Sequence, residues 1–189
     1  MTSSLNSVDW SEIPAPSDDG AADHLVGISL PTTALPSTQG RPLSLANLSG
    51  TTVLFVYPMT GHPDRPLPQG WDMIPGARGC TPQSCAFRDL YAELRKAGAT
   101  RVFGLSTQTA EDQAEAHARL HLPFPLLSDA GLAFGTALSL PTFVADGKTL
   151  HKRITLISRA DRIMTTFYPV FPPDQDAENV LNWLKSNSV

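Results

Sequence analysis

The chain has 189 residues, with 14 lysines and arginines against 18 aspartates and glutamates, and a formal net charge of −4. This acidic balance disfavours nucleic-acid binding, which normally requires a basic surface. No apolar run approaches the roughly 20 residues of a membrane-spanning helix, and residues 1–17 lack the basic start and apolar segment of a secretory signal. We therefore expect a cytoplasmic protein with no membrane partner.

The N-terminal part predicts a loose arm followed by one domain. Residues 1–25 are rich in Ser, Asp, Pro and Ala, which is typical of an arm, and residues 26–189 have the length of a single globular domain. Within that domain, residues 27–30 predict a short strand, and residues 43–48 predict a short helix or turn.

A buried strand and a long loop come next. Residues 53–57 are continuously apolar, which is typical of a strand buried on both faces, and the run ends at Pro58. Residues 59–79 are rich in proline and glycine and have no periodicity. A loop of this length predicts either a functional segment or a family insertion.

A helix is predicted over residues 80–98. Thr81 is a suitable N-cap, Pro82 suits the first helical position, and Gly98 is a natural stop. Apolar residues recur at helical spacing at Phe87, Leu90, Tyr91 and Leu94.

The remaining pattern alternates strands and helices before closing with a hairpin and a helix. Asp146-Gly147 and Ala160-Asp161 are turn signals. The predicted elements are strands at 101–106, 152–158 and 163–168, helices at 109–120, 131–138 and 174–185, and an extended segment at 124–127. This order predicts an α/β fold with a central sheet and helices on both faces.

The only two cysteines, Cys80 and Cys85, lie five residues apart at the start of the predicted helix. In a reducing compartment a cysteine pair is more often catalytic, redox-active or metal-binding than structural. Two cysteines alone cannot form a four-thiolate zinc site. A thiol at a helix N-terminus is biased toward the reactive thiolate. We therefore expect thiol redox chemistry, the alternative being two buried cysteines without a chemical role.

The spacing of the two cysteines predicts an element with two states. Residues five apart on a regular helix are separated by about 140° and about 7.5 Å of rise, whereas a disulfide needs Cα atoms within roughly 7 Å and converging Cβ vectors. A Cys80–Cys85 disulfide therefore requires the first turns to unwind. Cys80 would be the thiolate that a peroxide oxidises to sulfenic acid, and Cys85 the thiol that resolves it. Arg153 and Arg78 are candidates for the positive charge beside the sulfur.

Four segments, taken in order, resemble the Q-type peroxiredoxins, the group similar to bacterioferritin comigratory protein. Those proteins have a strand ending in Tyr-Pro, followed by Gly-Cys-Thr-x-x-x-Cys-x-Phe-Arg-Asp. The matching segments here are 53–58, 79–89, 124–129 and 153–157, and the resemblance covers roughly residues 25–187.

The resemblance implies a thioredoxin-like fold with a central mixed sheet, and reduction of hydrogen peroxide or organic hydroperoxides. It implies that Cys80 is the peroxidatic cysteine, that Cys85 is the resolving cysteine of the same chain, and that Arg153 lies against the peroxidatic sulfur. Thioredoxin or a similar dithiol would reduce the disulfide. No metal, haem or flavin cofactor is implied, and a monomer and a homodimer both remain open.

The chain departs from the family motif at one position. The family places a proline seven residues, and a Thr or Ser three residues, before the peroxidatic cysteine. Those positions hold Met73 and Ala77 here. Aligning the strand makes Pro58 the motif proline, with an insertion of about 15 residues after it, and leaves Thr60 as the nearest hydroxyl. Either Thr60 substitutes for the missing hydroxyl, or backbone amides and arginine hold the peroxide.

Two other functions stay open at this point. A disulfide oxidoreductase of thioredoxin type is disfavoured because its motif is Cys-x-x-Cys. A thioredoxin-fold module that senses peroxide or binds a partner through residues 59–79, with weak catalysis, is kept open by Ala77.

Overall fold

The architecture is built around a five-stranded mixed sheet in a computed structural model that describes residues 8–187. In spatial order its strands are β5 (Leu126–Ser128), β4 (Arg101–Ser106), β3 (Thr51–Val56), β8 (Ile154–Arg159) and β9 (Arg162–Phe167). β3 pairs in parallel with β4 and antiparallel with β8, so it is the central strand. Two smaller antiparallel ladders join β1 (Ala34–Leu35) to β2 (Leu43–Ser44), and β6 (Thr142–Ala145) to β7 (Lys148–His151).

Helices cover both faces of the sheet, which confirms the predicted mixed sheet flanked by helices. Side chains alternate along β3, so Val53 and Phe55 enter one core while Leu54 and Val56 enter the other. The first core receives residues of α1 (Cys80–Asp89), α2 (Tyr91–Lys96), α3 (Ala110–Arg119) and α5 (Asp176–Ser186). The second core receives Phe134 of α4 (Ala133–Ala137). The turn at Asp146-Gly147, between β6 and β7, was correctly predicted.

The predicted helix over 80–98 differs from the structure at its start and in its middle. Its N-cap is Gly79 rather than Thr81, because a φ of +106° lets the glycine turn the chain directly into the helix. Cys80 is consequently the first helical residue. The helix divides at Leu90, where ψ is 8°, into α1 and α2. The division is slight, since the amide of Leu94 still donates to the carbonyl of Leu90 at 2.9 Å.

The described part of the N-terminal arm is packed, in contrast to the predicted loose segment. The Trp10 indole donates to Asp174 Oδ2 at 2.9 Å and meets Phe171 edge-on. Asp19 accepts hydrogen bonds from Lys152 and Tyr168, and Leu25 is fully buried. The prediction for residues 1–7 lies outside the described residues. The arm thus crosses the domain near the start of α1.

The insertion at 59–79 folds over the same end of the molecule. Its regular structure in the described chain is one 3₁₀ turn, Trp71–Met73, and a bridge between His62 and Arg65. Trp71 is buried against the β6–β7 hairpin, in a cluster with Ala77 and Leu150. Within residues 8–187, no helix is both long and apolar enough to cross a bilayer.

Candidate active site

Cys80 lies at the N-terminus of α1, where the helix meets the start of α5. Its side chain is only 3% exposed. The first N–H groups of a helix have no acceptor within the helix, so the amides of Cys80 and Thr81 are available beside the sulfur. The partial positive charge of the helix end stabilises an anion at this point.

Arg153 supplies a full positive charge at the sulfur. Its Nη2 lies 3.3 Å from Cys80 Sγ and also donates to the carbonyls of Ala77, at 3.2 Å, and Arg78, at 3.0 Å. Its Nη1 donates to Gln83 Oε1. Arg153 is only 3% exposed, so these contacts fix the plane of its guanidinium. The structure therefore brings together the two residues that the sequence places 73 positions apart.

Arg78, the other candidate arginine, is directed elsewhere. It pairs with Asp72 at 2.6 Å, and both side chains are substantially exposed. Arg78 borders the cavity at Cys80, but its guanidinium is held by a carboxylate. Arg153 is accordingly the arginine whose charge acts at the sulfur.

Cys85 follows Cys80 by five residues on the intact helix, and both thiols are free. Burial raises the pKa of the Cys85 thiol, although the charge of Arg88 partly opposes this effect. Cys85 therefore remains protonated while α1 is wound, and its position matches the reduced state of the predicted two-state helix.

A cavity of about 320 Å³ opens onto Cys80. Its apolar wall comes mainly from the insertion, through Met59, Leu67 and Trp71, with Val8 of the arm completing it. The insertion thus forms part of the wall around the Cys80 sulfur.

Thr60 does not lie in this cavity. Its hydroxyl donates to Gln108 Oε1 at 3.2 Å, and its amide donates to the same oxygen at 2.8 Å. Thr60 lines a separate cavity of about 460 Å³. The structure therefore does not support Thr60 as the substitute for the motif hydroxyl. Ala77 contacts the site through its backbone carbonyl oxygen, which lies 3.6 Å from Cys80 Sγ.

Two buried polar residues of the site were missed from the sequence. Gln83 lies one turn after Cys80 and joins Arg153 to Asp176, the first residue of α5. Gln83 had a usable signal, because it falls on the helix face of Cys80 and Phe87 and so is a polar residue in an apolar stripe. Asp176 had none, since its role depends on a contact across 93 positions.

Comparison with known proteins agrees with this geometry. The Redoxin family model matches residues 25–181. Peroxiredoxin Q of Sedum lineare is 31% identical over 162 residues, covering 85% of this chain and 77% of that protein. The peroxiredoxin Q of Oryza sativa subsp. japonica is 34% identical over 132 residues, covering 64% of this chain and 54% of that protein.

A solved structure shares this fold over the whole length of the solved chain. The peroxidoxin BcpB of Mycobacterium tuberculosis superposes with a TM-score of 0.71 at 27% identity, covering 88% of this chain and 100% of that one. The predicted thioredoxin-like fold is confirmed. The chain belongs to the Redoxin family and, within it, to the peroxiredoxin Q group.

Proposed function

We propose that this protein is a thiol peroxidase in which Cys80 is the peroxidatic cysteine and Cys85 the resolving cysteine. The observation that carries the proposal is the 3.3 Å contact between Arg153 Nη2 and Cys80 Sγ at the first residue of α1. A fixed cation and a helix N-terminus at one sulfur favour nucleophilic attack by that sulfur.

In the first step the Cys80 thiolate attacks the terminal oxygen of a hydroperoxide. An S–O bond forms and the O–O bond breaks, so the sulfur is oxidised by two electrons to sulfenic acid. The leaving oxygen departs as hydroxide or alkoxide and takes a proton from water. Arg153 and the free amides at the start of α1 stabilise the charge that develops on this oxygen.

These donors also replace the hydroxyl that Ala77 lacks. A helix N–H group and a guanidinium can each donate to a peroxide oxygen bound beside the Cys80 sulfur. The apolar wall formed by Met59, Leu67 and Trp71 accommodates the substituent of an organic hydroperoxide, and hydrogen peroxide needs no such wall.

In the second step Cys85 attacks the sulfenic sulfur of Cys80. An S–S bond forms, the S–O bond breaks, and the departing hydroxide leaves as water with the Cys85 proton. The first turns of α1 must unwind for this step. Thioredoxin or a similar dithiol then reduces the disulfide and is itself oxidised. This cycle suits a reducing compartment such as the cytoplasm and can operate in either a monomer or a homodimer.

The test is peroxide consumption by the reduced protein with thioredoxin, thioredoxin reductase and NADPH. We expect Cys80→Ser to abolish consumption. Cys85→Ser should consume one equivalent of peroxide per chain and then stop. Thr60→Val should keep most of the activity, because the Thr60 hydroxyl is bonded to Gln108 outside the cavity. Full turnover by Cys80→Ser would contradict the assignment.

One observation favours a second function, that of a peroxide-sensing or partner-binding protein with weak catalysis. Ala77 leaves the site without the motif hydroxyl. The same assay distinguishes the two functions: slow oxidation of Cys80 without thioredoxin-dependent turnover would favour the sensor.

A further inference from the structure

Asp176 is a buried acid that reaches the contacts of Cys80 through one intervening side chain. It is 1% exposed, and its Oδ2 accepts from Gln83 Nε2 at 2.6 Å and from Thr155 Oγ1 at 2.7 Å. Among the described residues its Oδ1 has no hydrogen-bond partner. A carboxylate buried without a direct counter-ion is costly, so its presence beside the site calls for a function.

Gln83 connects this acid to Arg153, and its two partners determine its orientation. An ionised carboxylate can only accept hydrogen bonds, and a guanidinium can only donate them. The amide nitrogen of Gln83 must therefore face Asp176, and its oxygen must face Arg153, as the contacts show. Gln83 is fully buried, so water does not compete for either end.

The orientation of Gln83 bears directly on the sulfur. The guanidinium of Arg153 is planar and rigid, so holding Nη1 on Gln83 fixes where Nη2 points. Nη2 then lies on Cys80 Sγ at 3.3 Å. The chain of contacts runs from α5 through α1 to the residue preceding β8, and ends at the sulfur.

We propose that Asp176 is a positioning residue for Cys80. The ionised carboxylate of Asp176 holds Gln83 and, through it, Arg153 in the orientation that faces the sulfur. This inference rests on the peroxidase function proposed above. A charged acceptor makes a stronger hydrogen bond than a neutral one and polarises the amide toward Arg153. Loss of the charge therefore loosens Arg153 without removing any atom from the site.

The position of the acid makes this effect dependent on pH. Burial raises the pKa of Asp176 to about 6, while Thr155, Gln83 and the charge of Arg153 oppose the rise. Of the other groups near it, Asp174 in the preceding turn is engaged by Trp10, and Cys80 is reached only through Arg153. The positioning is accordingly present above about pH 6 and lost below it.

The test compares the wild-type chain with Asp176→Asn, which keeps the shape and removes the charge. The readouts are the single-turnover rate of Cys80 oxidation by hydrogen peroxide and the rate of Cys80 alkylation by iodoacetamide, located by mass spectrometry, from pH 5 to 8. At pH 7.5 we expect Asp176→Asn to be slower by about five-fold, the difference between a charged and a neutral acceptor. Below pH 6, where the wild-type acid is itself neutral, each rate measured for Asp176→Asn should approach the corresponding wild-type rate. Asp174→Asn, the same change two residues away, is the matched control and should follow the wild type.

A second variant keeps the carboxylate and serves if Asp176→Asn folds poorly. Thr155→Val removes a hydrogen bond that lowers the pKa of Asp176. The fall in Cys80 reactivity on acidification should therefore move to higher pH. A purely structural role for Asp176 would not move it. Wild-type rates and an unchanged pH profile in either variant would overturn the inference. A wild-type chain inert to peroxide would instead refute the proposed peroxidase, and the alkylation profile would still decide the role of Asp176.

Discussion

Two sulfur atoms share one helix but have different surroundings. Cys80 is buried beside Arg153 at the positive end of α1, whereas Cys85 is half-buried five residues further on and its pKa is raised by burial. Unwinding α1 removes that burial, so it both carries Cys85 toward Cys80 and frees its thiol to ionise. In the proposed cycle, the resolving nucleophile is thus produced by the same motion that delivers it.

The protonation of Cys85 predicts how disulfide formation depends on pH. Only the thiolate attacks, and a thiol is still mostly protonated at neutral pH once unwinding has removed the burial that raises its pKa. The rate of Cys80–Cys85 disulfide formation from the sulfenic acid should therefore rise steadily from pH 6 to 8. Stopped-flow oxidation followed by acid quench and mass spectrometry measures this step. A rate independent of pH over that range would show that Cys85 is not the attacking group, and Cys85→Ser supplies the background.

At the scale of the element, α1 is held differently at its two ends. Phe87 stacks on Phe55 with ring centroids 4.3 Å apart and fixes the second half to the sheet. The first half is held by Gln83 and by the contacts of Gly79, where an added Cβ would lie 2.5 Å from Pro173 Cγ and 2.8 Å from Trp10 Cη2. The unwinding proposed above would release the first turns while Phe87 stays in place.

Gly79→Ala should therefore impair the start of α1. The alanine would need a φ of +106° and would contact Pro173, so we expect the unfolding free energy to fall by about 1–3 kcal/mol. Displacement of Cys80 from Arg153 should also slow its oxidation. Gly98→Ala is the matched control, because Gly98 has a φ of +111° with nothing near its Cβ position. Urea denaturation and peroxide oxidation measure the two effects. Equal oxidation rates in the two variants would show that the contacts of Gly79 do not position Cys80.

Sequence patterns predicted the elements better than the contacts between them. Cys80 and Arg153 were found because they lie in local motifs around a strand and a helix start. Gln83 could have been found from the polar position in its apolar stripe, but Asp176 could not. Thr60 was predicted to substitute for the motif hydroxyl because it is the nearest hydroxyl along the chain after Pro58. The path of the loop instead turns its hydroxyl to Gln108.

At the scale of the whole molecule, the arm and the insertion close over the same end of the sheet. Val8 and Trp71 come from segments far apart in sequence and border the same cavity. The arm is attached at Trp10 through a contact spanning 164 positions, and at Asp19 through Lys152. Long-range attachments of this kind leave no periodic signal, which is why the sequence predicted a loose arm.

The arm should restrain the unwinding of α1. Trp10→Phe keeps an aromatic ring but removes the indole atom beside Gly79 and the hydrogen bond to Asp174, the latter worth about 1 kcal/mol. We expect disulfide formation to quicken by up to about five-fold, with the initial oxidation of Cys80 unchanged. Quenched-flow measurement of both steps tests this, with Trp183→Phe on α5 as the control. An equal change in both variants would argue against a restraining arm.

The location of the tryptophans has an optical consequence. Of the three in the chain, Trp10 lies near Gly79 and Trp71 borders the cavity at Cys80, while Trp183 lies on α5. Indole emission responds to solvent and to neighbouring groups, so unwinding of α1 would alter the surroundings of the two fluorophores at the site. In the proposed cycle, the unlabelled protein therefore carries its own reporter of the redox state of Cys80.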